Sequence, residues 1–147
     1  MLNLSIKQAV TKDEIQAVFA LRKEVFVDEE KLFSESDKDE HDEKSLYIIA
    51  KIDNAIVGTI RIFPLDQADV WEMGRIVVRK GYRDHHLGAL LAQEGVKLAQ
   101  SKGCKRLLGI VQRHAVELFL GVGWKKLGHE IDYLGVPHQV MEADLRQ

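Results

Sequence analysis

One stretch of the sequence, from Trp71 to Gly103, restricts the possible folds more than any other. Its first part contains Ile76, Val77 and Val78, a β-branched apolar run that favours an extended strand. A polar and basic segment at 79–86 follows, and four leucines then recur at helical spacing before the glycine stop signal. These leucines are Leu87, Leu90, Leu91 and Leu98. The stretch therefore predicts a strand, a loop and a helix.

The loop of this stretch has the chemistry of an anion-binding site. The first turn of a helix presents unpaired N–H groups and partial positive charge, and successive N–H groups in a tight loop form a nest for a phosphate oxygen. Arg83 adds a formal charge, and Gly88 lets the backbone approach another group closely. The alternative is an ordinary β-loop-α connection with solvated basic residues, and spacing alone does not separate the two interpretations.

The same segment resembles motif A of the GCN5-related N-acetyltransferases (GNAT), whose loop reads Arg/Gln-x-x-Gly-x-Gly/Ala. Arg83 and Gly88 match this pattern, whereas His86 stands where the first glycine is usual. A histidine does not adopt a positive φ cheaply, so we expect a right-handed conformation at His86 or a slightly different phosphate position. The resemblance implies acetyl-CoA (coenzyme A) as cofactor, with its pyrophosphate on the loop amides and its pantetheine beside the strand. The implied contacts are Ile76, Val77, Val78, Arg83, Asp84, His85, His86, Leu87, Gly88 and Ala89.

The predicted elements resemble this family over the whole chain. Thr11 and Glu14 form a capping box that begins a helix, and Asp53-Asn54 is the turn of a two-residue hairpin. Strands are predicted at 4–9, 45–52, 55–63, 69–78 and 106–111, and a final β segment begins at Gly123-Trp124 and includes 140–145. Helices are predicted at 11–27, 87–102 and 114–121. This order gives an α/β fold like that of the GNAT acyl-CoA N-acyltransferases, a mixed central sheet flanked by helices with a cofactor crevice. The length of 147 residues, without a linker composition, predicts a single domain at 1–147.

The C-terminal part carries a second resemblance and one departure. The segment from His114-Ala115 through Phe119 to Gly123-Trp124 is similar to the family's Asn-x-x-Ala…Tyr…Gly-Phe segment. The run Gly-Val-Pro-His-Gln-Val-Met at 135–141 is similar to the ElaA/YjcF-like subgroup. Phe119 occupies the position of the tyrosine that often protonates the departing thiolate, and we expect it beside the cofactor. Phenylalanine has no proton to give, so another acid, a water molecule or no acid at all takes that role.

The N-terminal half resembles a second family on the same fold, the acyl-homoserine lactone synthases. The matching residues are Arg22, Phe26, Asp39, Asp42, Tyr47 and Arg61. ElaA-like acetyltransferases share much of this pattern, and the chain is short for a lactone synthase, so the resemblance implies the acceptor side of the cleft. The residues assigned to acceptor binding are Arg22, Asp39, Asp42, Arg61 and His138.

Two features of this half have alternative interpretations. Arg22 lies on the apolar face of the first helix, where a charge needs a carboxylate partner or a cleft, unless the side chain snorkels to the edge. The acidic segment at 28–43 is either a solvated loop or a collector of a cationic amine. Within it, Asp39 and Asp42 converge if they share one helical turn.

Acyl transfer to an amine needs a general base, because only a neutral amine attacks the thioester. Glu72 is the leading candidate, and strict alternation places it on the same strand face as Ile76, about 13 Å away; the alternative is a surface carboxylate. His114 follows the strand at 106–111 and is the second candidate, as base or acid, unless it only caps a helix or is solvated. His138 is the third candidate.

Composition limits the other classes of function. A net charge of −2 argues against a general nucleic-acid or membrane binder. The single cysteine, Cys104, suits a reducing compartment, and the sequence shows neither a long apolar run nor a signal-peptide pattern, so we expect a cytoplasmic protein. His-Glu-x-x-His and Cys-x-x-Cys motifs are absent, and no metal is predicted. A homodimer is an option, because these folds often dimerise.

The sequence therefore predicts an N-acetyltransferase that moves an acetyl group from acetyl-CoA to a small-molecule or protein amine. Because the usual tyrosine is replaced by Phe119 and a loop glycine by His86, a non-catalytic CoA-binding or regulatory module is the first alternative. A relative of the lactone synthases is the second.

Overall fold

The computed structural model describes residues 3–83 and 86–145. Its strands are β1 (Leu4–Gln8), β2 (Leu46–Ile52), β3 (Ala55–Pro64), β4 (Val70–Val78), β5 (Arg106–Gln112), β6 (Lys125–Lys126), β7 (Ile131–Tyr133) and β8 (Val136–Glu142). Its α-helices are α1 (Lys12–Arg22), α2 (Leu87–Ser101) and α3 (Val116–Gly121), with a π-helical segment at Lys23–Glu29 and 3-10 turns at Glu40–Lys44 and Arg113–Ala115. None of the helices in these described ranges has both the length and the apolarity to cross a membrane.

The strands form one mixed sheet in the order β1-β2-β3-β4-β5-β8-β6, with β7 paired to β8. The predicted hairpin is confirmed, since β2 and β3 are antiparallel and both Asp53 and Asn54 have the positive φ that the turn needs. The predicted strand–loop–helix is confirmed as β4 followed by α2. Because β4 and β5 run parallel while the neighbouring pairs are antiparallel, the sheet is mixed and flanked by helices, as predicted.

The first helix begins with the predicted capping box but changes type along its length. Thr11 Oγ1 accepts a hydrogen bond from the N–H of Glu14 (3.1 Å), and Glu14 Oε1 accepts one from the N–H of Thr11 (3.1 Å). The chain then leaves α-helical geometry and forms the π-helical segment at Lys23–Glu29. Phe26 in this segment packs against Val77 of β4, so the segment covers one face of the sheet.

A β-bulge in β4 overturns the predicted alternation of its side chains. Arg61 of β3 pairs with Gly74 and Thr59 pairs with Val77, and the register shifts between them. The bulged strand takes its extra residue at Arg75, which has a φ of 48°.

The side chains of β4 consequently change faces at the bulge. Met73, before the bulge, lies against Gly95 of α2, so its neighbour Glu72 points to the opposite face, where α1 packs. Ile76, after the bulge, packs into the core on the α2 face. The prediction that Glu72 and Ile76 share a face is wrong, because one extra residue reverses the alternation.

Beyond Met73, β4 and β5 separate. Their pairing runs from Val70 opposite Arg106 to Met73 opposite Gly109, although β4 continues to Val78 and β5 to Gln112. β5 remains paired with β8 through this region. Within the described chain, the edge of β4 that faces β5 therefore has no strand partner after Met73, and its backbone groups bond to other partners, as the carbonyl oxygen of Val78 does with Arg83 Nε (2.8 Å).

Candidate active site

A cleft with two adjoining chambers lies where β4 and β5 separate. The outer chamber has a volume of ≈ 420 Å³ and is lined by His41, Arg61, Glu72 and Gly74, among others. The inner chamber, of ≈ 50 Å³, reaches Ile76 and continues along β5 and β8. The walls common to both chambers are Phe33, Arg75, Ile110, Tyr133 and Leu134. The outer chamber is large enough for a small ligand group.

A buried network of ion pairs supports the outer chamber. Arg22 Nε donates to Asp37 Oδ2 (2.7 Å), and Arg22 Nη1 donates to Asp42 Oδ1 (2.7 Å). Arg61 donates two hydrogen bonds, of 2.7 and 2.8 Å, to Asp39. Arg22 is 0% exposed. The expectation of a carboxylate partner for Arg22 is therefore confirmed, and the snorkelling alternative is wrong.

Asp37 and Arg75 complete this network, and neither is evident from the sequence. Arg75 Nε lies 3.1 Å from Asp37 Oδ2, and Arg75 Nη2 lies 3.3 Å from Asp39 Oδ2. Strict alternation places Arg75 on the same side of the strand as Val77, and the residue types show no pattern that would reveal the bulge. Asp37 is 2% exposed, yet it stands in a run of acidic residues in which nothing marks one carboxylate as buried.

The arginines hold the aspartates in their charged form. Burial by itself raises the pKa of Asp42, but the hydrogen bond and charge of Arg22 outweigh it and hold that pKa well below its usual range. Asp39 follows the same pattern, with burial opposed by Arg61, and the pKa of its carboxyl is lowered. The two aspartates converge at one 3-10 turn, which Asp39 caps and which contains Asp42, as their spacing predicts. Both are committed to arginines, so an amine in the chamber does not find them as free anions.

Glu72 also faces the outer chamber, but its pKa is raised, whereas the pKa values of Asp39 and Asp42 are lowered. Burial raises the pKa of its carboxyl, while the charges of His41 and Arg61 act in the opposite direction. A carboxylate with a raised pKa is a better general base near neutral pH. Gly74, two residues along the same face, also lines the chamber, and a Cβ at this position would meet nothing within 4 Å. The base candidate therefore stands next to open space.

The predicted phosphate loop differs from expectation where the structure describes it; Asp84 and His85 lie outside the described residues. His86 precedes α2 with a φ of 57°, so the expected right-handed conformation is wrong. At His86 the backbone turns into the helix in the left-handed region of φ and ψ. This conformation costs conformational free energy for a residue that has a Cβ. The group that lies close to the backbone at Gly88 is a side chain of α3, because a Cβ at Gly88 would lie 2.9 Å from Leu118 Cδ1.

The start of α2 has the donors that an anion requires. His86 gives the helix no side-chain cap, and the amides at 87–89 belong to a first turn that lacks acceptors within the helix. Arg83 is engaged elsewhere: its Nη1 and Nη2 donate to Glu29 (2.7 and 2.8 Å), and its Nε donates to the carbonyl oxygen of Val78 (2.8 Å). The guanidinium thus stands beside the open edge of β4 but is neutralised by a carboxylate.

Three further residues singled out by the sequence lie at different places. His114 is exposed, and its Nε2 lies 3.0 Å from Gln112 Oε1. His138 is 3% exposed and lines the inner chamber. Phe119 is 2% exposed and packs edge-on against Trp124 in the core of the α2 face. The cleft therefore includes His138, whereas His114 and Phe119 belong to other surroundings.

The structure brings part of the predicted site together. The predicted residues that line the cleft are Asp39, Arg61, Glu72, Ile76 and His138. Arg22 and Asp42 contribute through the ion-pair network rather than as lining. In the ranges 3–83 and 86–145, no cluster of three or more His, Cys, Asp or Glu side chains has an arrangement that could hold a metal ion.

Comparisons with known proteins agree with this architecture. The model of the acetyltransferase (GNAT) family matches residues 13–124. The N-acetyltransferase YjcF of Bacillus subtilis (strain 168) is 28% identical over 138 residues, which cover 92% of this chain and 96% of YjcF. The solved structure of an N-acetyltransferase from Lactobacillus plantarum has a TM-score of 0.86 at 24% identity and covers 97% of this chain and 98% of that one. Escherichia coli ElaA has a TM-score of 0.82 at 20% identity, with 98% and 100% covered. The predicted resemblance to the ElaA/YjcF-like subgroup is confirmed.

The same fold is present in BjaI, a CoA-dependent acyl-homoserine lactone synthase. Its solved structure has a TM-score of 0.79 at 20% identity and covers 100% of this chain and 85% of BjaI. At this identity the likeness shows the fold alone.

Proposed function

Because this chain belongs to the acetyltransferase (GNAT) family, we propose that it transfers an acetyl group from acetyl-CoA to a primary amine by direct attack of the amine on the thioester. The observation that carries the proposal is the separation of β4 from β5 beside a chamber that holds a partly buried carboxylate with a raised pKa. The separation of the strands leaves space and backbone hydrogen-bond donors for acetyl-CoA, and the carboxylate can accept a proton from the amine.

The chain offers a place for each end of coenzyme A. The open edge of β4 at 76–78 suits the amides of a pantetheine arm, because its backbone groups lack a strand partner on that side. The amides at 87–89 and the positive end of α2 suit a diphosphate. Arg83 exchanges Glu29 for a phosphate oxygen when the diphosphate is present. When bound, acetyl-CoA supplies the activated thioester, and the residues of this chain bind and orient the substrates and transfer protons.

Glu72 prepares the acceptor. An amine in the outer chamber arrives as an ammonium, and the Glu72 carboxylate removes one proton, directly or through a water molecule. The raised pKa of this carboxyl brings its proton affinity closer to what the transfer needs. The open space over Gly74 gives the amine a position next to the carboxylate. Polar walls at Arg61 and Asp39 surround that position, so a polar acceptor fits better than an apolar one.

Two measurements on the purified protein test the proposal. Coenzyme A should raise the melting temperature in a concentration-dependent way, since a ligand that binds only the folded state stabilises it by mass action. Release of free thiol from acetyl-CoA across a panel of small amines and peptide amines should then reveal turnover. A protein that binds neither coenzyme A nor acetyl-CoA at millimolar concentration contradicts the proposal.

A non-catalytic CoA-binding module is the second candidate, and one observation favours it. Phe119 occupies the position of the usual proton donor, has no hydroxyl, and is buried against Trp124. Binding of coenzyme A without thiol release for any amine selects this candidate. Formation of a lactone from S-adenosylmethionine and an acyl thioester selects a lactone synthase, which the fold alone does not distinguish.

A further inference from the structure

We propose that Tyr133 donates the proton to the departing thiolate, in place of the hydroxyl that this chain lacks at Phe119. The inference rests on the proposed function, because it assigns a catalytic residue to the same cleft. It moves the proton donor from α3 to β7, the strand that pairs with β8 at the far wall of the cleft.

Tyr133 is placed where the two chambers meet. It lines both the outer chamber, which contains Glu72, and the inner chamber, which contains Ile76. It is partly exposed, in contrast to Phe119 at 2%. A thioester whose pantetheine follows 76–78 towards Glu72 passes this junction. The hydroxyl therefore belongs to a residue that lines one chamber together with the base candidate Glu72 and the other together with Ile76.

Arg75 lies within hydrogen-bond reach of this hydroxyl. Its Nη1 lies 3.5 Å from Tyr133 Oη, and as a guanidinium N–H it donates while the tyrosine oxygen accepts. With its oxygen in the acceptor role, Tyr133 keeps its hydroxyl hydrogen for donation to a group in the cleft. Arg75 itself is held from the other side, where its Nη2 donates to the carbonyl oxygen of Asp37 (3.0 Å).

His138 holds the ring of Tyr133 in this position. The two rings meet edge to face, with centroids 5.1 Å apart and planes at 83°. The imidazole is itself fixed, because its Nδ1 lies 2.8 Å from the carbonyl oxygen of Val136, an acceptor that requires a hydrogen on Nδ1. His138 is 3% exposed, so we assign it as a positioning residue rather than as the acid.

The proton transfers balance. Glu72 takes one proton from the acceptor ammonium, and the neutral nitrogen forms its bond to the acyl carbon. As the carbon–sulfur bond breaks, the hydroxyl of Tyr133 gives its proton to the sulfur. The nitrogen then gives its second proton to the tyrosinate, directly or through water, and Tyr133 is restored. The surplus proton leaves from Glu72 to solvent.

The test is Tyr133→Phe, which removes one oxygen and keeps the ring that packs on His138. With the wild type active, the variant should lose about 100-fold in kcat while the KM for acetyl-CoA and the melting temperature are unchanged. Ile131→Ala, on the same strand and outside the lining of either chamber, is the control for a local disturbance of the hairpin and should keep its activity.

A binding comparison gives a readout that does not depend on turnover. At a pH above the thiol pKa, the wild type should bind coenzyme A about three- to tenfold more tightly than desulfo-coenzyme A, since one hydrogen bond to the sulfur is lost. Tyr133→Phe should bind both equally.

The outcomes separate this inference from the function on which it rests. A kcat within twofold of wild type for Tyr133→Phe overturns the inference and leaves the transferase function standing. A wild-type protein that turns over no amine removes the function. In that case the binding comparison still tests the contact between Tyr133 and the sulfur. If the wild type binds coenzyme A and desulfo-coenzyme A equally, the contact is overturned. If the wild type prefers coenzyme A and Tyr133→Phe loses this preference, the contact stands.

Discussion

Arg75 holds a positive φ of 48° in the middle of β4, and the orientation of its neighbours follows from it. The bulge at this residue sends Glu72 to the cleft and Ile76 to the core of the opposite face. It also aims the guanidinium at Tyr133 and at Asp37. A regular strand would keep Glu72 and Ile76 on one face, so the bulge separates the base from the apolar packing.

Glu72→Gln tests the base at the scale of a residue. The substitution should lower kcat by about 100-fold or more and leave the affinity for coenzyme A unchanged, because the carboxylate acts on the acceptor. Glu94→Gln on the exposed face of α2 is a matched control with no expected effect. Equal turnover of Glu72→Gln and wild type across the amine panel would remove Glu72 as the base.

The pH profile gives a second check on Glu72. The base form is the carboxylate, and burial raises its pKa from the ordinary value of 4.5. Activity should therefore be low where the carboxyl is protonated and should rise with pH through that raised pKa. The acid limb of kcat/KM should lie above pH 4.5 in the wild type and be missing from the residual activity of Glu72→Gln.

Gly74→Val tests whether the acceptor occupies the space over β4. A Cβ at Gly74 meets nothing within 4 Å, and a β-branched residue suits a strand, so the melting temperature should not fall. The added methyl groups enter the outer chamber and should raise the acceptor KM by about tenfold, with coenzyme A binding retained. Gly121→Ala, where a Cβ also meets nothing within 4 Å, is the control. An unchanged acceptor KM would place the amine elsewhere.

Among the elements, the 3-10 turn at Glu40–Lys44 is fastened to the sheet by charge. Arg61 of β3 binds Asp39 just before this turn, and Arg22 at the end of α1 binds Asp42 inside it. Tyr47 Oη donates to Asp42 Oδ1 as well (2.8 Å). Three aspartates of the acidic segment, Asp37, Asp39 and Asp42, thus anchor it to the rest of the fold, while carboxylates such as Glu40 and Glu43 remain exposed.

Asp42→Asn should destabilise the protein by about 3–5 kcal/mol, because it removes one of the two carboxylates that neutralise a wholly buried arginine. Equilibrium unfolding in urea measures the loss. Glu43→Gln, an exposed neighbour in the same turn, should change the unfolding free energy by no more than about 0.5 kcal/mol. A loss below about 1 kcal/mol for Asp42→Asn would mean that Asp37 alone suffices for Arg22.

A second link joins the π-helical segment to the loop before α2. The carboxylate of Glu29 accepts a hydrogen bond from Arg83, and Glu24 Oε2 accepts one from Arg79 Nε (3.0 Å). If Arg83 must leave Glu29 to meet a phosphate, Glu29→Gln should tighten coenzyme A binding by about two- to fivefold, the scale of one exposed ion pair. Isothermal titration measures the affinity, and Glu24→Gln is the matched control with no expected change. Weaker binding in Glu29→Gln would show instead that the pair orders the loop for its ligand.

At the scale of the whole molecule, stability should depend on pH through the aspartates that are paired with arginines. The pKa values of Asp39 and Asp42 are lowered in the folded protein from the ordinary 3.8. A lowered carboxyl pKa contributes stability that is complete above the unfolded value and is lost as the pH falls towards the folded one. The unfolding free energy should therefore drop below about pH 4, and more steeply in wild type than in Asp42→Asn. Parallel pH curves for the two proteins would contradict this account.

The cytoplasmic location, the single domain and the option of a homodimer remain predictions from the sequence. Light scattering on the purified protein decides the oligomeric state. The acceptor also remains to be chosen between small-molecule and protein amines, and the amine panel decides that question.

The sequence by itself determined the elements whose signals are local. The capping box at Thr11, the Asp53-Asn54 hairpin turn and the β4–loop–α2 unit depend on residues a few positions apart, so periodicity and turn chemistry identify them. A resemblance carried by Arg83 and Gly88 was enough to point to the family.

Only the tertiary structure decided how distant segments meet. The bulge at Arg75 depends on the register between β3 and β4, and the left-handed His86 depends on how α2 is set against the sheet. The burial of Asp37 against Arg22 and the approach of Tyr133 to Arg75 join residues 15 and 58 positions apart. Contacts of this kind are chosen by packing and charge neutralisation between elements, and residue order along the chain does not encode them in any short pattern.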